Sequence, residues 1–233
     1  MTSAAQLGSS EYICDFAVEE QLRKLKPTSV VDFGSGGGKY ARIVRRLVGE
    51  GCTLIAVEGC ASTVKALEAA KLYHSVKCEL LQDWLERDPG HYSVAIFGDV
   101  IEHITPREVR HCMKLAMEKF DHIIIVAPLH DIFQDGATYA DGVYNELEKH
   151  KTYITEGFFD RYSPVSKHIV VGEEYTIMNV LIQTRRPKKP LVKRAAWNTF
   201  HLAMLTLQPI GLARPTVDLL KMTLGRFKWL LGR

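Results

Sequence analysis

The sequence predicts an α/β fold in which helices cover both faces of a doubly wound, mostly parallel sheet, with a basic helical tail beyond it. Three observations carry that expectation. Apolar runs of strand length alternate with segments whose apolar residues recur at helical spacing, the pattern of strands joined by crossover helices. One such run, Val30-Val31-Asp32-Phe33, feeds straight into Gly34-Ser35-Gly36-Gly37-Gly38 and then into a helical segment. The charge is also divided: from Arg185 to Arg233 eleven Lys or Arg face one acid, Asp218, so that stretch carries +10 and the preceding part −7 of a net +3.

The 233 residues, 46% apolar and 24% charged, suit one globular domain with a sizeable core, residues 1–186, followed by a basic amphipathic tail, 187–233. Met1 to Cys14 lacks a basic segment followed by an apolar run, so no secretory signal is read there and a cytoplasmic location is expected. The five cysteines, Cys14, Cys52, Cys60, Cys78 and Cys112, are scattered and never spaced Cys-x-x-Cys. Reduced, mostly buried thiols are expected, with no disulfide framework and no metal.

Taken in order, Glu11 to Lys26 places Phe16, Val18, Leu22 and Leu25 at helical spacing, and Pro27 stops the run. After the first strand, glycines without Cβ let backbone N–H groups approach a ligand, and the helix N-terminus that follows adds a positive dipole end. A phosphate-cradling P-loop fails twice here, because Tyr40 follows Gly38-Lys39 and Phe33 occupies the upstream glycine position. The dinucleotide pattern survives only as Gly36, Gly38 and Ala41, whereas Asp-x-Gly-x-Gly-x-Gly is met in full by Asp32, Gly34, Gly36 and Gly38. Thr53 to Glu58 reads as a second strand, and an acid at its end can accept from both hydroxyls of a ribose. Ala61 to Ala70 is helix-favouring, Val76 to Leu81 reads as a third strand running into Gln82-Asp83-Trp84, and Tyr92 to Phe97 suits a central strand buried on both faces. At the carboxyl end of that strand, where open α/β sheets bind ligands, stand Asp99, Glu102 and His103. Thr105, Pro106 and Glu108 form a capping signal for the next helix. His122 to Ala127 gives a fifth strand ending at Pro128, Thr155 to Tyr162 reads as a helix, and His168 to Gln183 as two strands turning near Gly172-Glu173-Glu174.

The Asp32–Gly38 motif and the Asp99-Val100-Ile101-Glu102-His103 block together resemble the class I S-adenosylmethionine-dependent methyltransferases. The resemblance spans about residues 10 to 184. It implies a Rossmann-like sheet with an antiparallel closing strand and S-adenosyl-L-methionine as cofactor. In those enzymes the glycine loop wraps the methionyl part, the acid at Asp32 faces its amino-acid portion, and a residue at the third strand's end, here Asp83, accepts from the adenine amino group, with Trp84 or Leu85 beside the ring. Asp99 joins the expected cofactor residues with Glu58. A narrower likeness, to bacterial methyltransferases of small-molecule and surface-glycan pathways, rests on Gly38-Lys39-Tyr40, Gln134-Asp135-Gly136, Asn145, Glu148 and His150, with Ile154 where that pattern has Trp. It implies that Tyr40, Gln134, Asn145 and Glu148 meet the acceptor, and His150 and His103 are the candidate bases because imidazole takes a proton near neutral pH.

The expected function is methyl transfer from S-adenosylmethionine to an oxygen or nitrogen nucleophile of a sugar, a lipid-linked glycan or a small metabolite. Two alternatives stand beside it: a nicotinamide-dependent oxidoreductase using Gly36, Gly38, Ala41 and Glu58, and a non-catalytic scaffold that keeps the fold. In the tail, Ala195 to Ala213 lacks charged residues but is broken by polar ones, and Phe227, Trp229, Leu230 and Leu231 adjoin Arg226, Lys228 and Arg233. That mixture suits an anionic membrane surface, contacted through residues 191–233 on the inner face, better than a span; the alternative is a pair of helices packed on the domain. No nucleic-acid partner is expected, since no basic, aromatic-studded surface precedes the tail.

Overall fold

Period-2 alternation in the strands sorts the core into two layers. The computed structural model describes residues 12–184 apart from 130–133, 139–141, 143 and 173–174. These lie in the first of two units into which the chain divides, Met1–Arg185. The expected tail, with Trp197, Phe200, Phe227 and Trp229, and part of the 172–174 turn lie outside the described residues.

Strands β1 (Ser29–Phe33), β2 (Thr53–Glu58), β3 (Ser75–Cys78), β4 (Tyr92–Gly98) and β5 (Phe120–Leu129) are parallel; β8 (Ser166–Val171) and β9 (Thr176–Gln183) complete a seven-stranded sheet in the order β3-β2-β1-β4-β5-β9-β8. β9 runs antiparallel to β5, with Ile124 opposite Leu181, so the closing strand is antiparallel as expected. A separate two-stranded ribbon pairs β6 (Asp135–Thr138) with β7 (Tyr144–Lys149).

Val30, Leu54, Ala56, Val94, Ile96, Ile124 and Val126 point to one face. There they meet Val18 and Leu22 of α1 (Asp15–Leu25), Ile43 and Val44 of α2 (Lys39–Val48) and Leu67 of α3 (Ala61–Ala70). The intervening residues, Val31, Phe33, Ala95, Phe97, Ile123 and Ile125, face Trp84 and Leu85 of α4 (Leu81–Arg87) and Val109, Cys112, Met113 and Ala116 of α5 (Pro106–Lys119). Each fully buried Val, Leu, Ile or Phe side chain contributes about 1.5–3 kcal/mol of transfer free energy. The inner parallel strands β1, β2, β4 and β5 are therefore hydrophobic on both faces, which is why their sequences read as apolar runs, whereas the edge strand β3 stays half-buried to exposed.

Several local signals fold as their chemistry dictates. Thr105 caps α5: its Oγ1 accepts from Glu108 N at 3.4 Å while its own N–H donates to Glu108 Oε2 at 2.7 Å, with Pro106 opening the helix. Lys39 Nζ, at the start of α2, pairs with Asp15 Oδ1 at 2.9 Å and ties α2 to α1. Two expectations fail. The third strand stops at Cys78 and Leu81–Arg87 is helix, because Leu81, Trp84 and Leu85 sit at i, i+3 and i+4 and bury together. Thr155 to Tyr162 is a series of turns ending in a short 3-10 helix, Asp160–Tyr162; Gly157 disfavours a continuous helix and the buried Phe159 anchors the turns instead.

Candidate active site

The order of strands reverses between β1 and β4, and a cavity of about 520 Å³ opens at their carboxyl ends. That volume is in the range of small-molecule sites. β1 delivers Gly34 and Gly36 to its wall, β2 delivers Glu58, and β4 delivers Asp99. A Cβ on Gly34 would come within 2.5 Å of Val100 Cγ2, and its φ of +64° suits glycine, so the loop passes against the β4 end only without a side chain there. Asp99 itself holds a left-handed φ of +48° and anchors through its N–H to Val126 O at 2.9 Å. Such a backbone in a non-glycine residue at a strand end is uncommon.

Glu58 is 9% exposed and sits under the loop. Its Oε2 accepts from Gly36 N at 3.1 Å and its Oε1 from Cys60 N at 2.8 Å. Burial raises its pKa, against the pull of those hydrogen bonds. The Gly59 N–H also bears on the carboxylate, and part of its acceptor capacity stays open to the cavity.

On the opposite side, the β6–β7 ribbon and the residues flanking it supply Gln134, Asn145, Leu147, Glu148, His150 and Lys151. The ribbon is locked to the β4 end through Glu102, whose carbonyl accepts from Lys151 N at 2.7 Å and Thr152 N at 2.9 Å. His150 N donates to Gln134 O at 2.9 Å, and Gln134 Nε2 to Glu148 O at 2.7 Å. The rings of His103 and His150 then lie 4.9 Å apart, centroid to centroid, and His103 Nε2 stands 3.8 Å from Glu148 Oε2. Burial lowers the His103 pKa, which favours the neutral ring. Glu102 is 2% exposed; burial pushes its carboxyl well above the carboxylate range, and the nearby charges of Asp99 and Glu148 push the same way. Among the described residues, six acidic side chains line the cavity (Glu58, Glu79, Asp99, Glu102, Glu108 and Glu148) against one lysine, Lys151.

Of the residues expected from sequence, the structure therefore brings Gly34, Gly36, Glu58, Asp99, His103, Gln134, Asn145, Glu148 and His150 to one cavity. Five others do not line it. Asp32 is buried beneath the loop, where its Oδ2 accepts from Tyr73 OH at 2.5 Å, and burial drives its pKa up to about 7. Gly38 starts α2 at φ +77°, and a Cβ there would meet Leu72 Cδ1 at 2.9 Å, so its need is local packing. Tyr40 is 3% exposed in the core, under Gly98, and its hydroxyl has no hydrogen-bond partner. Asp83 is exposed on the outer side of α4, and Trp84 packs edge-on to Phe33 with ring centroids 5.4 Å apart. The helical turn that begins at Leu81 presents Gln82 to the cavity instead, its Oε1 buried and without a partner. Leu81, Trp84 and Leu85 at helical spacing were the signal that could have found it. Glu102 was visible at the strand end, but its burial depends on residues 151–152 closing over it.

No protein-family profile and no curated protein sequence matches the chain. Solved structures do resemble it. DhpI in complex with SAH aligns with a TM-score of 0.56 at 15% identity, over 75% of this chain and 87% of that one. The plantazolicin methyltransferase BpumL in complex with SAH gives 0.54 at 11% identity, over 73% and 84%. A SAM-dependent methyltransferase from Archaeoglobus fulgidus gives 0.51 at 15%, over 72% and 93%. With the strand order, the antiparallel closing strand and the cavity at the β1/β4 reversal, these likenesses identify the architecture: this chain carries the class I S-adenosylmethionine-dependent methyltransferase fold.

Proposed function

We propose that this protein transfers the sulfonium methyl of S-adenosyl-L-methionine to an oxygen or nitrogen nucleophile of a small molecule or glycan. The observation that carries the reading is the cavity wall at β1, β2 and β4: a glycine loop that admits a backbone-close ligand, with Glu58 beneath it and five further acidic side chains around it. The cofactor brings a sulfonium and an ammonium, both cationic, which an acid-lined cavity attracts. A nicotinamide dinucleotide brings a pyrophosphate, which the same wall repels. Gly36 N, which would serve a phosphate, is already bonded to Glu58.

In this reading the open acceptor capacity of Glu58 takes the ribose hydroxyls, and Gln82 Oε1 accepts from the adenine amino group. The adenosine lies along the β2 and β3 side and the methyl faces Asp99 and the ribbon. The carbon is already activated by the positive sulfur, so the protein's task is to align nucleophile, methyl and sulfur and to exclude water. The acceptor enters from the side of Asn145, Glu148 and His150, where His103 and His150 engage its nucleophile. A lipid-linked acceptor on an anionic surface rests on the charge of the tail alone. Among the described residues no helix is long and apolar enough to cross a membrane.

Isothermal titration of the full chain with S-adenosylmethionine and, separately, with NAD tests the reading. Binding of the first and not the second is expected; the reverse selectivity makes the protein a dinucleotide enzyme, and binding of neither leaves a fold without cofactor.

A further inference from the structure

The sequence pointed to no metal, since its cysteines are scattered, yet the fold assembles a ligand set from other residues. One donor atom each from Glu102, His103 and His150 lie within 4.8 Å of one another, on the acceptor side of the cavity. Glu102 Oε2 is fully buried with no hydrogen-bond partner, and so is Nδ1 of His103. Buried polar atoms are nearly always paired, and an unmade donor or acceptor is costly. Protonating Glu102 would remove its charge and still leave Oε2 unpaired. A cation answers both demands, and the five other acidic residues around the cavity draw one in.

We propose that Glu102, His103 and His150 bind a first-row divalent cation whose open positions take a hydroxyl oxygen of the acceptor. Two imidazoles and a carboxylate suit manganese, iron, cobalt, nickel or zinc, whereas magnesium and calcium prefer all-oxygen shells. Metal–nitrogen and metal–oxygen bonds of about 2.0–2.2 Å put donor atoms about 3–4 Å apart in a shared shell. Rotation of the half-buried His150 closes the remaining gap. Three protein ligands leave positions open to the cavity.

This inference rests on the methyltransferase reading and narrows its acceptor to a hydroxyl. A bound cation lowers the pKa of a coordinated hydroxyl, which replaces the need for an imidazole base. The hydroxyl proton leaves to solvent and the oxygen lone pair forms the O–CH₃ bond. The electron pair of the breaking S–C bond returns to sulfur, so the sulfonium becomes the neutral thioether of S-adenosylhomocysteine. The cation is neither oxidised nor reduced.

The test titrates chelator-stripped full-length protein with Co²⁺, followed by calorimetry and by the visible absorption of the ion. One equivalent per chain with a visible band is expected, and at least tenfold weaker binding in His150→Ala and Glu102→Gln. Should Glu102→Gln lose its circular dichroism, His150→Ala, at a half-buried position just after the ribbon, decides alone. Co²⁺ binding that is absent, or equally tight in wild type and His150→Ala, overturns the proposal. S-adenosylmethionine binding is measured on the same wild-type sample, so loss of the cofactor reading shows there and loss of the metal reading shows in the Co²⁺ signal.

Discussion

Glu58→Ala is the substitution that bears most directly on the cofactor. In the structure the carboxylate is committed on one side to Gly36 N at 3.1 Å and Cys60 N at 2.8 Å, and on the other faces the cavity. Truncation removes both acceptors for the ribose hydroxyls. A hydrogen bond to a charged group is worth about 1.5–3 kcal/mol, so even one lost bond raises Kd for S-adenosylmethionine about 10- to 150-fold. The two amides left behind border the cavity, where water can reach them, and the fold should survive at a cost of about 1 kcal/mol. Calorimetry gives Kd, near-ultraviolet circular dichroism reports folding, and Glu86→Ala, an exposed acid on α4, controls for bulk charge. A folded Glu58→Ala protein whose Kd stays within a factor of about three of wild type refutes the assignment, and with it the orientation of the cofactor in the cavity.

Tyr40→Phe should leave turnover unchanged and stabilise the protein by about 1 kcal/mol, since it removes a buried hydroxyl without a partner; a loss of acceptor affinity would return Tyr40 to the site. Gln82→Ala should weaken S-adenosylmethionine binding about 2- to 12-fold, the worth of one neutral hydrogen bond, while Asp83→Ala does nothing; the opposite ranking in calorimetry sinks the register drawn for α4. Asp32 is raised by burial from an ordinary 3.8 to about 7 in the folded chain, so its contribution to stability is full below about pH 4 and is lost as pH rises through about 7. Urea unfolding should therefore show wild type losing stability relative to Asp32→Asn across that window, by about 1.4 kcal/mol for each unit of the pKa gap, and a flat difference contradicts it. A chain ended at Arg186 should still bind S-adenosylmethionine, because every strand of the described residues lies before Thr184, but should no longer co-sediment with anionic vesicles, to which each basic residue contributes about 1 kcal/mol; equal sedimentation of both forms removes the membrane role.

The parallel strands and the glycine loop were legible because their signals are local. Val30 to Gly36 is a strand and a turn whatever surrounds it, and an acid at the end of the next strand, Glu58, follows by topology. The expected residues that do not line the cavity are those whose surroundings are set by residues far away in sequence. Gly38 is explained by Leu72, and Tyr40 by Gly98, neither of which is visible from the motif itself. At Gln82 and Asp83 a slip of one position reversed which residue faces inward, since a helix turns its side chains by about 100° per residue. The cluster at Glu102 needed the chain to return 48 residues later, at His150, before its three donors met.

The link between Glu102 O and the amides of Lys151 and Thr152 has an evolutionary side. A two-stranded ribbon is scarcely stable by itself; this one is moored to the sheet by main-chain bonds that any side chain at 151 or 152 could preserve. The acceptor wall is thereby exchangeable as a cassette. Mutations, insertions or whole replacements between Gln134 and His150 can redraw what the cavity admits, while the glycine loop, Glu58 and Asp99 stand on a different part of the framework and need not change with it.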